Sequence, residues 1–172
     1  MLDIIKQLLA SQYEAALCTL GICVEKCPEN LWTGKVGNLG FCQVVFHTLF
    51  YDDMYLGRNV KSFKAQPFHQ ENPDIFRDYE EMEDRAQVQM YDRESIRKYL
   101  RYCRTKAGET IASETEQSLR GPSGFEWRKC SRAELHVYNI RHIQHHAAQL
   151  SLRLRLDAKL EIPWVGSGWR EV

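Results

Sequence analysis

SRAELHVYNIRHIQHHAAQLSLRLRL, residues 131–156, is the stretch on which the fold turns. Ser131 followed three residues later by Glu134 is the S-x-x-E pattern that closes the free backbone N–H groups at a helix start. No Pro or Gly interrupts the run after Ser131, so the pattern predicts a helix from 132 to about 156. Leu135, Asn139, Ile143 and Leu150 fall on one side of it. At about 100° per residue, His142 and His146 lie roughly 40° apart on that side, with Cβ atoms about 5–6 Å apart. His145 falls further round, towards the edge.

Three other segments share this periodicity. Residues 2 to about 27 carry Ile5, Leu9, Gln12, Ala16, Leu20, Cys23 and Cys27 at steps of three and four, and Pro28 ends the run. Residues 39 to 56, LGFCQVVFHTLFYDDMYL, are apolar on most sides, as a helix buried between neighbours should be. Asn38 is the expected cap of that helix and Gly57 its stop. Asp92 opens a helix over about 93–118, with Ile96, Leu100, Cys103, Ala107 and Ile111 as its stripe. Four helices of comparable length predict an all-α four-helix bundle, a single domain over 1–172. Between the second and third helices lies a long irregular connection, 57–91, broken by Pro67 and Pro73 and holding at most a short helix near 74–84. A connection of this length is expected to cover a site or to move. The tail IPWVGSGWREV should be an extended cover. No strand is expected anywhere.

Composition narrows the function classes. The chain has 172 residues, 44% hydrophobic and 27% charged, which suits one ordinary globular domain. Lys plus Arg and Asp plus Glu each total 23, so no net field attracts nucleic acid or an anionic membrane. The same neutrality leaves copies free to associate, and a homodimer is expected. No segment is long and apolar enough for a membrane span, and the N-terminus lacks the pattern of a signal peptide. The six cysteines form no C-x-x-C pair and read as reduced thiols of a cytoplasmic protein, with Cys42 and Cys103 in the core.

The histidines carry the chemistry. Two imidazoles at i and i+4 can share one ion, and a third ligand must come from elsewhere. His47 is the candidate, set mid-helix among Gln43, Val44, Phe50, Tyr51 and Met54. A histidine buried there needs partners for both ring nitrogens, which an ion on one and an acceptor on the other would supply. Taken singly, each signal has a plainer explanation. A lone core histidine is usually hydrogen-bonded, and i, i+4 pairs arise by chance. His69 and His136 read as solvated or structural, and Asp52 and Asp53 as solvated or interfacial. Gln149 could orient a ligand or water, or could simply bond across helices; Tyr51 could donate to a substrate, or could pack in the core with its hydroxyl satisfied. The zinc-protease signature is absent, since Ile143 stands where its Glu would be.

Taken together, FHTLFYDDMYL in the second helix and H-x-x-x-H-x-x-Q in the fourth (HIQHHAAQL) resemble the DinB-like (DinB/YfiT) superfamily, over nearly the whole chain. Relatives often show Arg-Gly after the second ligand of the fourth helix; here Ala147 and Ala148 precede the expected Gln149. The resemblance implies an up-down-down-up bundle, a divalent ion, commonly zinc or nickel, held by His47, His142 and His146, and frequent dimers. It also implies a small-molecule substrate and, in some relatives, transfer or isomerisation using a low-molecular-weight thiol. Three neutral histidines would leave an open coordination position, suited to hydrolysis or to thiol transfer. His145, Gln149 and Tyr51 are the expected neighbours of such a site. The competing classes are a non-catalytic metal-binding or dimeric interaction module, and a structural metal site with a fourth protein ligand.

Overall fold

Each long periodic segment folds as a helix, and local chemistry decides where it stops. The computed structural model describes residues 1–170 and is predominantly helical. Helix α1 spans Leu2–Lys26 and buries Leu9, Tyr13, Ala16, Leu20 and Cys23, whereas Gln12 is half-buried and Ile5, expected on the same face, is exposed. Cys27 already has extended backbone, the conformation a following proline favours. A short helix α2 (Glu29–Trp32) leads into a feature the sequence did not announce. Strands β1 (Lys35–Val36) and β2 (Leu39–Gly40) pair antiparallel around Gly37, whose φ of +64° suits a residue without Cβ. The hairpin takes up Leu39 and Gly40, so α3 begins late, at Phe41, and ends at Leu56. Its cap is Gly40 rather than Asn38, and the Gln43 side chain accepts the Gly40 N–H at 2.7 Å. Gly57 stops it as expected, donating its N–H to the Asp53 and Met54 carbonyls.

The connection 57–91 is more ordered than its composition suggests. It holds α4 (Val60–Lys64), α5 (Pro67–Glu71), α6 (Pro73–Phe76) and a 3-10 turn at Glu80–Met82. Pro67 and Pro73 start helices here rather than only ending them, since proline is well placed at a first helical position. The expected helix near 74–84 is instead α6 and the turn, parted where Arg77 and Tyr79 take positive φ. Phe63 and Phe76 are buried, in contact with Phe50 and Phe46 of α3, so the segment is a packed cover.

Helix α7 (Arg93–Ser113) is capped by Asp92, which accepts the Ser95 N–H at 2.8 Å. It ends short of 118 because Glu114 turns extended and drives its side chain into the interior. Thr115 then caps a separate α8 (Glu116–Arg120). Helix α9 (Arg132–Ala158) opens on Ser131, whose hydroxyl accepts the Glu134 N–H at 3.2 Å. Helix α1 packs against α7 and α9, and α3 packs against the same two. Leu17, Leu20, Leu49, Phe50, Tyr99, Cys103, Ile143 and Leu150 fill the space between them. Within the tail, Val165 covers Ala15, Cys18 and Ile22; Glu171 and Val172 lie outside the described residues. Among the described residues no helix is long and apolar enough to cross a membrane.

One buried ionic network ties the end of α3 to α9. Arg132 bonds Glu114 at 3.0 Å, and Glu114 also meets His136, whose other ring nitrogen meets the Tyr13 hydroxyl at 3.0 Å. Burial, then the charge of Arg132, pushes the His136 pKa down to about 4. Burial alone would raise the Glu114 carboxyl, but hydrogen bonds from Ser118 and Arg132 outweigh it and hold the pKa at about 2. Both groups therefore bind protons more weakly folded than unfolded. The unfolded chain gains a proton at His136 from about pH 6.5 downward and at Glu114 from about 4.5, and the fold refuses each until about 4 and 2. Stability should be full at neutral pH and fall as the pH drops below about 6.5. Thermal melts of metal-free protein across that range test this, and a midpoint that rises on acidification would contradict it.

Candidate metal centre

Histidines far apart in sequence meet where α3 crosses α9. His47 comes from α3, and His142 and His146 from successive turns of α9. One nitrogen of each lies within 4.8 Å of one from each of the others. Ring centroids are 5.4 Å apart for His47 and His142, 4.9 Å for His47 and His146, and 4.6 Å for His142 and His146. All three are partly buried.

Protonation favours ligation. Burial, then the neighbouring His146 and His47, pushes the His142 pKa down to about 3. Burial, then His47, takes His146 to about 4. Both rings are neutral at pH 7, with lone pairs available to a cation. His142 Nδ1 is buried with no hydrogen-bond partner among the described residues. An orphaned buried ring nitrogen is costly. A divalent ion shared by the three imidazoles fits this donor set, since zinc and its neighbours bind neutral imidazole readily.

The other two rings are held from behind. His47 Nδ1 lies 2.8 Å from Oε2 of Glu81, and the His47 ring is 24% exposed while that carboxylate is buried. His146 Nδ1 donates to Gln149 Oε1 at 2.9 Å, and Gln149 Nε2 donates to His145 at 3.1 Å. Gln149 and His145 are exposed, and they form a surface chain behind His146. Tyr51 stands beside the cluster, its ring 4.9 Å from His47 and 5.8 Å from His142. Its hydroxyl donates to the Glu81 carbonyl at 3.1 Å, and burial raises its pKa to about 12.

The aspartates after Tyr51 overturn a sequence expectation. Asp52 and Asp53 are fully buried, not solvated or interfacial. Asp53 meets Lys106, His69 at 2.9 Å and the Tyr99 hydroxyl at 2.8 Å. Burial opposes its charge, but the His69 hydrogen bond and the Lys106 charge keep its pKa low. Asp52 takes the opposite state. Burial, then the charge of Asp53, pushes its pKa well up, and the Asn139 amide donates to it at 3.0 Å. Both carboxyls escape water because their partners come from α7, α9 and the connection, none of which local periodicity reveals. His69 and His136 are likewise buried in these networks, as structural rather than solvated residues.

Glu81 is the site residue that sequence reasoning missed. It lies in an acidic run, EEMED, at the end of the short helix expected near 74–84, with nothing in the spacing to aim it at His47. The only hint was indirect: a mid-helix histidine needs an acceptor.

A family model described as the DinB superfamily matches residues 24–150, a span that holds all three histidines. No curated protein and no solved structure matches the chain.

Proposed function

The chain belongs to the DinB superfamily, and from the meeting of its three histidines we propose a metal-dependent enzyme acting on a small molecule. The proposed reaction is transfer of a low-molecular-weight thiol to an electrophile, with zinc or nickel as the ion. The observation that carries the reading is the buried Nδ1 of His142, without a hydrogen-bond partner among the described residues, on a ring set beside two further imidazoles. His47, His142 and His146 would hold the ion. Bound there, it would act as a Lewis acid towards a sulfur or oxygen ligand. Three histidines leave a coordination position without a protein donor, which distinguishes this set from a closed structural site. Among the described residues, no carboxylate or thiol joins the cluster as a fourth donor.

The surroundings suit a nucleophile of this kind. Tyr51 keeps its proton at neutral pH and, beside His47 and His142, can orient a substrate as a hydrogen-bonding group. Gln149 and His145 hold His146 from the solvent side. The helix pairings support the up-down-down-up four-helix arrangement, and the balanced charge supports a homodimer. All six cysteines are unpaired, as suits the reducing cytoplasm.

Conjugation of a chromogenic electrophile by several cellular thiols tests the reaction, with zinc or nickel protein and after chelation. Thiol-dependent turnover that chelation abolishes and metal restores is the expected result. Turnover of esters without thiol would favour hydrolysis. Stoichiometric metal with no turnover of either kind would favour a non-catalytic module.

A further inference from the structure

Glu81 has a side chain only 1% exposed, yet among the described residues Oε1 has no partner and Oε2 has one side-chain partner, His47. A buried carboxylate so sparsely held is unfavourable unless something else draws on its charge. Its placement looks built. Tyr79, just before the turn, has φ of +60°, a left-handed conformation that a bulky residue rarely adopts. The Glu80 side chain accepts the Gln89 N–H at 2.9 Å, closing the loop behind the turn. Tyr51 of α3 donates to the Glu81 carbonyl itself. These contacts aim one carboxylate at one imidazole nitrogen.

We propose that Glu81 is a positioning residue for His47, fixing its proton on Nδ1 and presenting Nε2 to the ion, so that the 77–91 stretch is an integral part of the metal centre. This rests on the metal reading above and goes beyond it. A carboxylate can only accept, so the nitrogen it meets must be the N–H. The same contact makes the far nitrogen a stronger donor towards a cation. His146 receives the equivalent contact from a neutral, exposed amide and His142 Nδ1 receives none among the described residues, so within them His47 alone has a buried anion behind it. Ion binding should therefore pull on Glu81 and tighten its turn. Metal occupancy and order of the 77–91 stretch become linked.

The test compares the full-length chain with Glu81→Gln and Glu81→Ala. Long-range proton–nitrogen NMR of metal-free protein reads the His47 tautomer, expected as Nδ1–H in wild type. Glu81→Gln can turn its own N–H towards Nδ1, which moves the His47 proton to Nε2, the nitrogen the ion needs. Competition with a chromophoric chelator should then show zinc held roughly 10–100-fold more weakly in both variants. Zinc should slow amide exchange over 79–83 in wild type but not in Glu81→Ala. An Nε2–H tautomer in wild type, or unchanged zinc affinity in folded Glu81→Gln and Glu81→Ala, overturns the proposal. Wild type that binds no zinc, yet carries an Nδ1–H on His47 that Glu81→Ala loses, supports the pairing and overturns the metal reading alone.

Discussion

His47→Ala should abolish divalent-ion binding at the histidine cluster in a chain that still folds. The variant keeps His142 and His146 one turn apart on α9, but removes the only imidazole that α3 supplies. Loss of an outer hydrogen-bonding partner costs about 10–100-fold in metal affinity, and loss of a ligand should cost more. Elemental analysis after gel filtration should find about one equivalent per chain in wild type and almost none in the variant. Geometry supplies a second readout. An ion held between α3 and α9 binds the folded chain only, so metal at 100 times its dissociation constant should stabilise wild type by about 2.7 kcal/mol. For a domain of this size that corresponds to a rise in melting midpoint of roughly 5–11 °C, which His47→Ala should not show. The Ala variant also takes from the buried Glu81 carboxylate its one side-chain partner, so its metal-free midpoint should fall below that of metal-free wild type, and the metal-induced rise is read against each protein's own metal-free midpoint. Full metal occupancy in His47→Ala would dismantle the site.

The other large effect is expected far from any ligand. The guanidinium of Arg132, 1% exposed, bonds Glu114, the Tyr55 carbonyl at 2.6 Å, Gly57 at 2.9 Å and Leu56 at 2.8 Å. One side chain thus caps the last turn of α3, neutralises a buried carboxylate and anchors the start of α9. Carbonyls at a helix C-terminus have no partner within the helix and carry partial negative charge, which a cation offsets. Arg132→Met keeps most of the volume but leaves Glu114 buried without its main counter-charge. Breaking a buried pair from one side typically costs 3–5 kcal/mol, against a total stability of about 5–15 kcal/mol. Urea titration should place Arg132→Met near the edge of folding. Glu114→Gln should cost less, because the guanidinium keeps its three carbonyls. Glu116→Ala, in an exposed pair with Arg120, should change stability by less than about 1 kcal/mol. A midpoint for Arg132→Met equal to that of Glu116→Ala would refute this account of the network.

The accuracy of the sequence reading tracks the range of the interaction being read. Asp92 and Ser131 start helices, and Pro28 and Gly57 stop them, because capping and φ restriction act within a few residues. The i, i+4 spacing of His142 and His146 is likewise a local property of one helix. His47 was singled out from the apolar character around it and joined to the α9 pair by the family resemblance; spacing alone could not join them, because their nearness depends on the packing of α3 on α9. The hairpin at 35–40, the early end of α7 and the buried Asp52 and Asp53 eluded the sequence for a common reason. Each depends on partners distant in the chain or on a weak two-residue pairing.

The sequence by itself determined a helical chain, most of its long-helix boundaries and two ligands on one helix face. These come from backbone hydrogen bonding and apolar spacing, which neighbouring residues decide. Only the tertiary structure decided that a third imidazole completes the cluster, that Glu81 returns from a polar-looking connection to stand behind it, and that an arginine closes α3 from another helix. Those arrangements come from burial, which sets a charge's cost and partner by everything packed around it rather than by its neighbours in the chain.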